Sequence, residues 1–157
     1  MHLRPMLEAD LEVAAKIDAA ATDHPWSYAQ FAGSLLAGDD CTVLEVDGAV
    51  CGFAIFSRVL DEASLLNIAV APDAQGSGCG RCLLEYGLDA QVKHGAALCF
   101  LEVRASNYKA QALYQSLQFT VVGERKNYYP TKSGSEDALV MRWELSVEQW
   151  PIFIKAD

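Results

Sequence analysis

Three places in this sequence hold residue types that could do chemistry at a spacing that matters. The first is residues 75–81, Q-G-S-G-C-G-R, where Gly76, Gly78 and Gly80 alternate with small side chains and Arg81 follows at once, before a helical run. Bare backbone ahead of a helix lets successive N–H groups close on an anion, helped by the positive end of the helix dipole. The second is Glu102, a carboxylate inside the apolar run L-C-F-L-E-V at 98–103. Burial there would raise its pKa toward neutrality, which suits a general base. The plainer alternative is an ion pair with Arg104, two residues on and on the same strand face. The third is the pair Asn107 and Tyr114, seven residues apart and so on one helix face about 10 Å from one another. A core tyrosine at helical spacing is the competing reading. Asn67, polar within L-L-N-I-A-V, suits either an ordered water or a structural hydrogen bond.

Other constellations carry less. Cys79 and Cys82 make C-x-x-C, but there is no second pair for a zinc ribbon, and the count of five cysteines is odd. A disulfide framework is not expected, and a redox motif is the minor alternative to buried thiols. His2, His24 and His94 share no ligand spacing with the cysteines, so no metal is expected. Acidic residues number 21 and basic residues 12, a formal net charge of -9. That argues against a nucleic-acid partner and suits either a cationic one or plain solubility. No apolar run reaches the roughly 18 residues that span a bilayer, and the N-terminus lacks a signal-like stretch, so no membrane association and a cytoplasmic location are expected.

Stepping outward, the elements that must position these residues can be read in order. Residues 2–6 alternate as a short strand. Residues 10–20 read as a helix capped by Asp10, with Leu11, Ala14, Ile17 and Asp18 on one face. H-P-W-S at 24–27 opens a second helix, with Ser27 as cap and Phe31, Leu35 and Leu36 as its apolar stripe. Strands on either side of Asp47-Gly48 form a hairpin with a type I′ turn. Asp61-Glu62 marks the next turn and 63–71 the next strand. A helix at 80–94 carries Leu84, Leu88 and Val92 and ends at Gly95. Residues 98–104 read as a strand covered on both faces. Residues 107–117 form a helix with Ala110, Leu113, Tyr114 and Leu117 at i, i+3, i+4 and i+7. Strands at 120–129 and 137–145 flank a loop at 130–136. The result is one α/β domain over 1–145, a mixed and mostly antiparallel sheet with helices on both faces, followed by a tail at 146–157 that holds Trp150, Ile152 and Phe153.

The loop decides between phosphate-binding patterns. A P-loop needs Gly five residues after Gly76 and then Lys-Ser or Lys-Thr; Arg81 stands there instead. A dinucleotide fingerprint needs Gly at that same position. The remaining pattern, Q-x-x-G-x-G on Gln75, Gly78 and Gly80, resembles the acetyl-CoA loop of the GNAT superfamily of N-acetyltransferases, whose element order this chain matches across residues 1–145. L-N-I-A-V-A-P-D, L-E-V-R-A-S-N, A-L-Y-Q-S-L-Q-F, N-Y-Y-P and E-D-A-L-V-M, with H-P-W-S, are similar to the ribosomal-protein-alanine N-acetyltransferases of that superfamily. The resemblance implies the acyl-CoA N-acyltransferase fold and acetyl-CoA as co-substrate. It implies the N-terminal α-amine of a protein as acceptor, and in particular the N-terminal alanine of a small-subunit ribosomal protein. It places Gln75, Gly76, Ser77, Gly78, Cys79, Gly80 and Arg81 at the phosphates. Backbone of Ile68, Ala69 and Val70 would bind the pantetheine amides and polarise the thioester, and Asn107 would hold the pantetheine arm. Glu102 is implied as base and Tyr114 as acid. Tyr128, Tyr129 and Glu136 would lie over the acceptor, with Trp26 and Tyr28 opposite.

Two departures stand out. Gly76 and Ser77 replace basic residues of the family loop, which leaves more of the phosphate binding to backbone and Arg81. Gln118 replaces a glycine that ends the helix in a left-handed conformation. Three alternatives stay open: the same fold acting on a small amine or a lysine side chain, a catalytically silent CoA sensor, and a redox protein built on Cys79 and Cys82.

Overall fold

The computed structural model describes residues 1–146; the expected tail lies, from residue 147 on, outside the described residues. The elements run β1 (His2–Pro5), α1 (Leu11–Ala21), α2 (Tyr28–Leu36), β2 (Asp40–Val46), β3 (Ala49–Val59), β4 (Glu62–Val70), α3 (Cys79–Lys93), β5 (Leu98–Arg104), α4 (Tyr108–Ser116), β6 (Thr120–Thr131) and β7 (Gly134–Glu144). Single 3-10 turns sit at Glu8–Asp10 and Pro72–Ala74. The strands form one sheet in the order β1-β2-β3-β4-β5-β7-β6, antiparallel throughout except for β4 against β5.

Strand alternation sends each face of the sheet to its own helices. Ala54 and Phe56 of β3 join Leu83, Leu84 and Leu88 of α3 and Tyr114 of α4 in one core, together with Cys99, Leu101 and Val103 of β5. Phe53 and Ile55, their neighbours in sequence, join Leu11, Ala14 and Ile17 of α1 and Phe31 of α2 in a second core. Gly87 lets α3 sit close on the first core: a Cβ added there would collide with the ring of Phe56.

Several local expectations hold for the reasons given. Asp47 (φ 52°) and Gly48 (φ 78°) make the two-residue turn between β2 and β3. Ser27 Oγ accepts from the Gln30 N–H, and Gln30 Oε1 accepts from the Ser27 N–H, a reciprocal cap for α2. Gly95 closes α3 with its N–H on Val92 O and the Ala96 N–H on Gln91 O, the paired pattern of a left-handed helix end. Gln118 does the same for α4 despite its side chain. Its φ is 72°, its N–H meets Gln115 O, and the Phe119 N–H meets Tyr114 O.

Four expectations need correction. Asp10 does not cap α1; its carboxylate accepts from the Leu7 N–H and pairs with Arg4 at 2.7 Å, so it ties the first strand to the helix instead. Arg4 also holds Glu45 of β2 at 2.8 Å. Leu36 is 92% exposed, because α2 turns it away from the Phe31 face. The span 130–136 is not a loop: β6 runs to Thr131 and β7 starts at Gly134, which leaves a two-residue turn. Finally, β5 is not covered on both faces. It alternates, with Cys99, Leu101 and Val103 buried and Phe100, Glu102 and Arg104 only partly so.

The reason lies in the one parallel seam. β4 pairs with β5 only at Glu62–Leu98, Ala63–Cys99 and Ser64–Phe100. A register shift in β4 follows, between the pairs Ile55–Asn67 and Phe56–Leu65, and a bulge of this kind bends its strand. Past Ser64 and Phe100 the two strands have no ladder between them, and the second halves of both line a cavity. Among the described residues no helix is long and apolar enough to cross a membrane.

Candidate active site

The cavity has a volume of about 760 Å³ and passes through the sheet where β4 and β5 part. Its near end is walled by the glycine loop and α4, its middle by residues 68–70 of β4 and by Leu101 and Val103 of β5, and its far end by the end of α1, Trp26, Asn67 beside Asp18, and Glu102 beside Tyr129. One end is therefore backbone-rich and bears Arg81 and Lys109. The other bears the carboxylates Asp18 and Glu102.

At the near end Gly76 (φ 82°) and Gly78 (φ 86°) are both left-handed, with open space where a Cβ would stand. A side chain at either would be strained whatever it touched. Gly80 lies in the first turn of α3 and lines the cavity, and a Cβ there would make ordinary contacts with Leu113 and Val70 at 3.5 and 3.9 Å. Gln75 Nε2 donates to Val70 O (3.0 Å), which closes the loop onto the end of β4. Ser77 does not line the cavity; its hydroxyl donates to Ala74 O at 2.6 Å and sits 3.3 Å from Cys79 Sγ. Lys109, which sequence reasoning passed over, brings Nζ to 3.4 Å from Gln75 Oε1. It adds a second cation to the one the loop supplies at Arg81, and only the fold reveals this, since Lys109 is 34 residues from Gln75 in the chain.

Asn107 caps α4 through Oδ1, which accepts from the Ala110 N–H (3.1 Å), and its residue lines the cavity. Tyr114, two turns along, is 7% exposed, packs on Phe119 at 5.8 Å and lines the same wall. Burial pushes its hydroxyl above the ordinary tyrosine range, with the charges of Tyr129 and Cys99 adding to the effect. The phenol is a proton carrier at any physiological pH.

Glu102 is not buried in apolar strand and does not pair with Arg104. It stands on the cavity wall, its side chain 29% exposed, and meets Arg125 Nε at 2.9 Å. Arg125 reaches it from β6, across the intervening β7. A register shift between Arg125 and Tyr129 and a left-handed Asn127 (φ 52°) turn this part of β6 toward the cavity. Tyr128 hydrogen-bonds Glu102, which raises the Tyr128 hydroxyl. Tyr129 is pushed up to about 12 by burial first and then by the charge of Glu102. Arg104 instead holds Glu136 at 2.9 Å and stacks over the Tyr129 ring at 4.5 Å.

Of the residues expected at the acceptor end, Trp26 and Tyr129 line the cavity; Tyr28, Tyr128 and Glu136 do not. Tyr28 is 51% exposed at the start of α2. Glu136 braces Arg104 and the Ser106 N–H rather than facing the cavity. Asp18 was read only as part of a helix face, yet it is a buried wall residue that binds Asn67 and the Trp26 N–H. Among the described residues no group of three or more His, Cys, Asp or Glu could hold a metal ion. Cys79 and Cys82 are both free, and burial raises the thiols of Cys82 and of nearby Cys51, which makes them poor thiolate nucleophiles.

A mixed sheet parted at its one parallel seam, with a phosphate-type loop at one mouth and acids at the other, defines an enzyme that moves a group from a phosphorylated carrier to a second substrate. The sequence matches the family described as "Acetyltransferase (GNAT) domain" over residues 37–121. It is 46% identical over 138 residues to the [ribosomal protein bS18]-alanine N-acetyltransferase of Escherichia coli strain K12, covering 88% of this chain and 93% of that one. The fold is similar to the crystal structure of the ribosomal-protein-S18-alanine N-acetyltransferase from Escherichia coli, with a TM-score of 0.88, 44% identity, and coverage of 93% of this chain and 94% of that one. It is also similar to yncA from Salmonella typhimurium, solved with its cofactor acetyl-CoA, with a TM-score of 0.78, 25% identity and coverage of 93% and 94%. The chain belongs to the GNAT acetyltransferase family, and it is an acyltransferase.

Proposed function

We propose that this enzyme transfers acetyl from acetyl-CoA to the N-terminal α-amine of a protein, and that the acceptor is the alanine terminus of the small-subunit ribosomal protein bS18, in the cytoplasm. The observation that carries the reading is the single cavity that joins the glycine loop to the Glu102 wall; the relatives' acceptor supplies the identity of the amine.

The near end fits a CoA phosphate group: left-handed glycines leave N–H groups uncovered, α3 begins at Cys79, and Arg81 and Lys109 stand beside them. Gln75, Gly76, Gly78, Cys79, Gly80 and Arg81 line the cavity and hold the pyrophosphate there, while Ser77 braces the loop through Ala74 O. The unpaired edge of β4 at Ile68, Ala69 and Val70 offers backbone donors and acceptors along the pantetheine, with Asn107 opposite. Acetyl-CoA, when bound, supplies an activated thioester.

This chain's residues then divide the work. Glu102 takes the proton of the incoming ammonium so that the nitrogen can form its bond to the acetyl carbon. Backbone N–H groups of β4 steady the negative charge that develops on the carbonyl oxygen. As the carbon–sulfur bond breaks, Tyr114 gives its proton to the departing sulfur, and the second proton, shed by the nitrogen as it becomes an amide, passes to solvent, from which the Tyr114 hydroxyl is restored. An α-amine has a pKa of about 7.7 to 8.0 against about 10.4 for lysine, so freeing a lysine costs about 3.4 kcal/mol more. One ion-paired carboxylate suits the easier task.

Acetyl transfer to short peptides that differ only in their amine tests the reading. An N-terminal alanine peptide of the bS18 type should be acetylated on its α-nitrogen, located by mass spectrometry. Preferential acetylation of an internal lysine or of a free small amine would replace it, and absence of released CoA thiol with every acceptor would mark a silent binder.

A further inference from the structure

Asp18 is the least explained charge in the molecule. It is 3% exposed, on the last turns of α1, where the helix dipole disfavours a carboxylate. Its donors are neutral: the Trp26 N–H at 2.8 Å and Asn67 Nδ2 at 2.9 Å, both addressed to the same oxygen, Oδ2. Among the described residues no cation pairs with it, whereas Asp10, Glu45, Glu102 and Glu136 each have an arginine. A carboxylate taken this far out of water normally has a positive partner. Asp18 lines the far end of the cavity, and so do Asn67 and Trp26.

We propose that Asp18, Asn67 and the Trp26 ring together form the site that receives the acceptor's charged α-amine, with Asp18 as the residue that reads its charge. This rests on the peptide-amine reading above. Asp18 Oδ1 is left for an N–H of the ammonium. Asn67 spends its amide N–H on Asp18 and so presents its own carbonyl oxygen as a second acceptor. Trp26, held against Phe31 at 5.3 Å, offers an aromatic face to the same cation. The three come from α1, from the segment before α2 and from β4, and the Asp18 hydrogen bonds lock them in one arrangement. The ammonium therefore arrives at the same end of the cavity as Glu102, which removes its proton, while the β4 edge runs from Asn67 directly to the pantetheine backbone groups at 68–70.

Asp18→Asn separates recognition from a merely structural tie. The amide oxygen of Asn still accepts from Trp26 and Asn67, so a structural role would survive the exchange, while the charge is lost. Calorimetry on the CoA-loaded enzyme, which cannot turn over, compares a short peptide beginning with alanine against its des-amino analogue, which lacks only the nitrogen. The wild type should bind the free-amine peptide about 10- to 100-fold more tightly, the range of a hydrogen-bonded charge. In Asp18→Asn that preference should vanish, and the KM for peptide should rise by the same factor with the KM for acetyl-CoA unchanged. Equal binding of the two peptides by the wild type overturns the proposal whether or not the variant folds, as does a preference that persists in Asp18→Asn. A wild type that binds the free amine selectively but does not acetylate the peptide would overturn the substrate reading and leave the amine site standing.

Discussion

Tyr114 is asked to do two things at once, and the residues around it show how. Its carbonyl takes the N–H groups of Leu117 and Phe119, its ring packs on Phe119, and the residue forms part of the cavity wall. Tyr114→Phe keeps the backbone bonds and the ring packing and removes only the hydroxyl. Turnover should fall by about 10²- to 10⁴-fold, with acetyl-CoA affinity and melting temperature near wild type; steady-state kinetics beside a thermal melt will tell, and full activity would return Tyr114 to the core. Gln118 closes the same helix end with a left-handed backbone that glycine adopts freely and other residues do not. Gln118→Gly should therefore raise stability by up to about 1 kcal/mol, read as a shift in denaturant midpoint at constant slope; a loss would mean that the glutamine's own contacts outweigh the strain. The two residues also mark what a sequence can convey. The helix face that carries Tyr114 was visible, because helical spacing is a local property, while the left-handed end at 118 came only from the family resemblance, from which Gln118 departs. The partner of Glu102 was not. Arg125 is separated from it by a whole strand in the sheet, and only the bulge of β6 brings the two together.

At the scale of elements, α3 depends on one missing side chain. Gly87 faces Phe56, which is itself 1% exposed and has nowhere to go. Gly87→Ala gains helix propensity of about 1 kcal/mol but overpacks the core, and overpacking typically costs about 1–3 kcal/mol. The net effect should be a loss, seen in chemical denaturation; a gain would show that the sheet can yield beneath α3. The first strand depends on charge. Arg4 holds the Asp10 carboxylate below its ordinary value of 3.8. A depressed carboxylate contributes stability that is present above its unfolded pKa and lost as pH falls through the folded one. Asp10→Asn should thus be less stable than wild type at pH 7, and the gap should begin to narrow below about 3.9 and close once pH has fallen through the lowered folded value. A gap that persists into that acid range would assign the effect to the Leu7 hydrogen bond alone. Hairpins and helices were legible here where turn chemistry is local, as at Asp47-Gly48 and Ser27. The apolar run of β5 was misread because its composition matches a strand buried on both faces. Nothing in residues 98–104 announces that the ladder to β4 stops at Phe100.

For the molecule as a whole, the order and faces of the elements were readable from periodicity, while the cavity was not, since it is made by what β4 and β5 fail to do past their third pair. Asp18 escaped notice for a related reason: its helix and the strand of Asn67 meet only in three dimensions. That short seam gives the fold a mechanical character. The sheet is in effect two plates, β1 to β4 and β5 to β7, stitched along one end and spread at the other. Whatever fills the gap acts as a keystone, taking the place of hydrogen bonds that the plates do not make to each other. CoA at about 100 times its dissociation constant should therefore add about 2.7 kcal/mol to global stability, and the gain should be spatially uneven. Amide exchange along residues 66–70 should slow most, and exchange at the β2–β3 hairpin should hardly change. Uniform slowing would mean that the plates already move as one body. Uneven slowing would mean that the enzyme completes its own sheet only in the presence of the molecule it consumes.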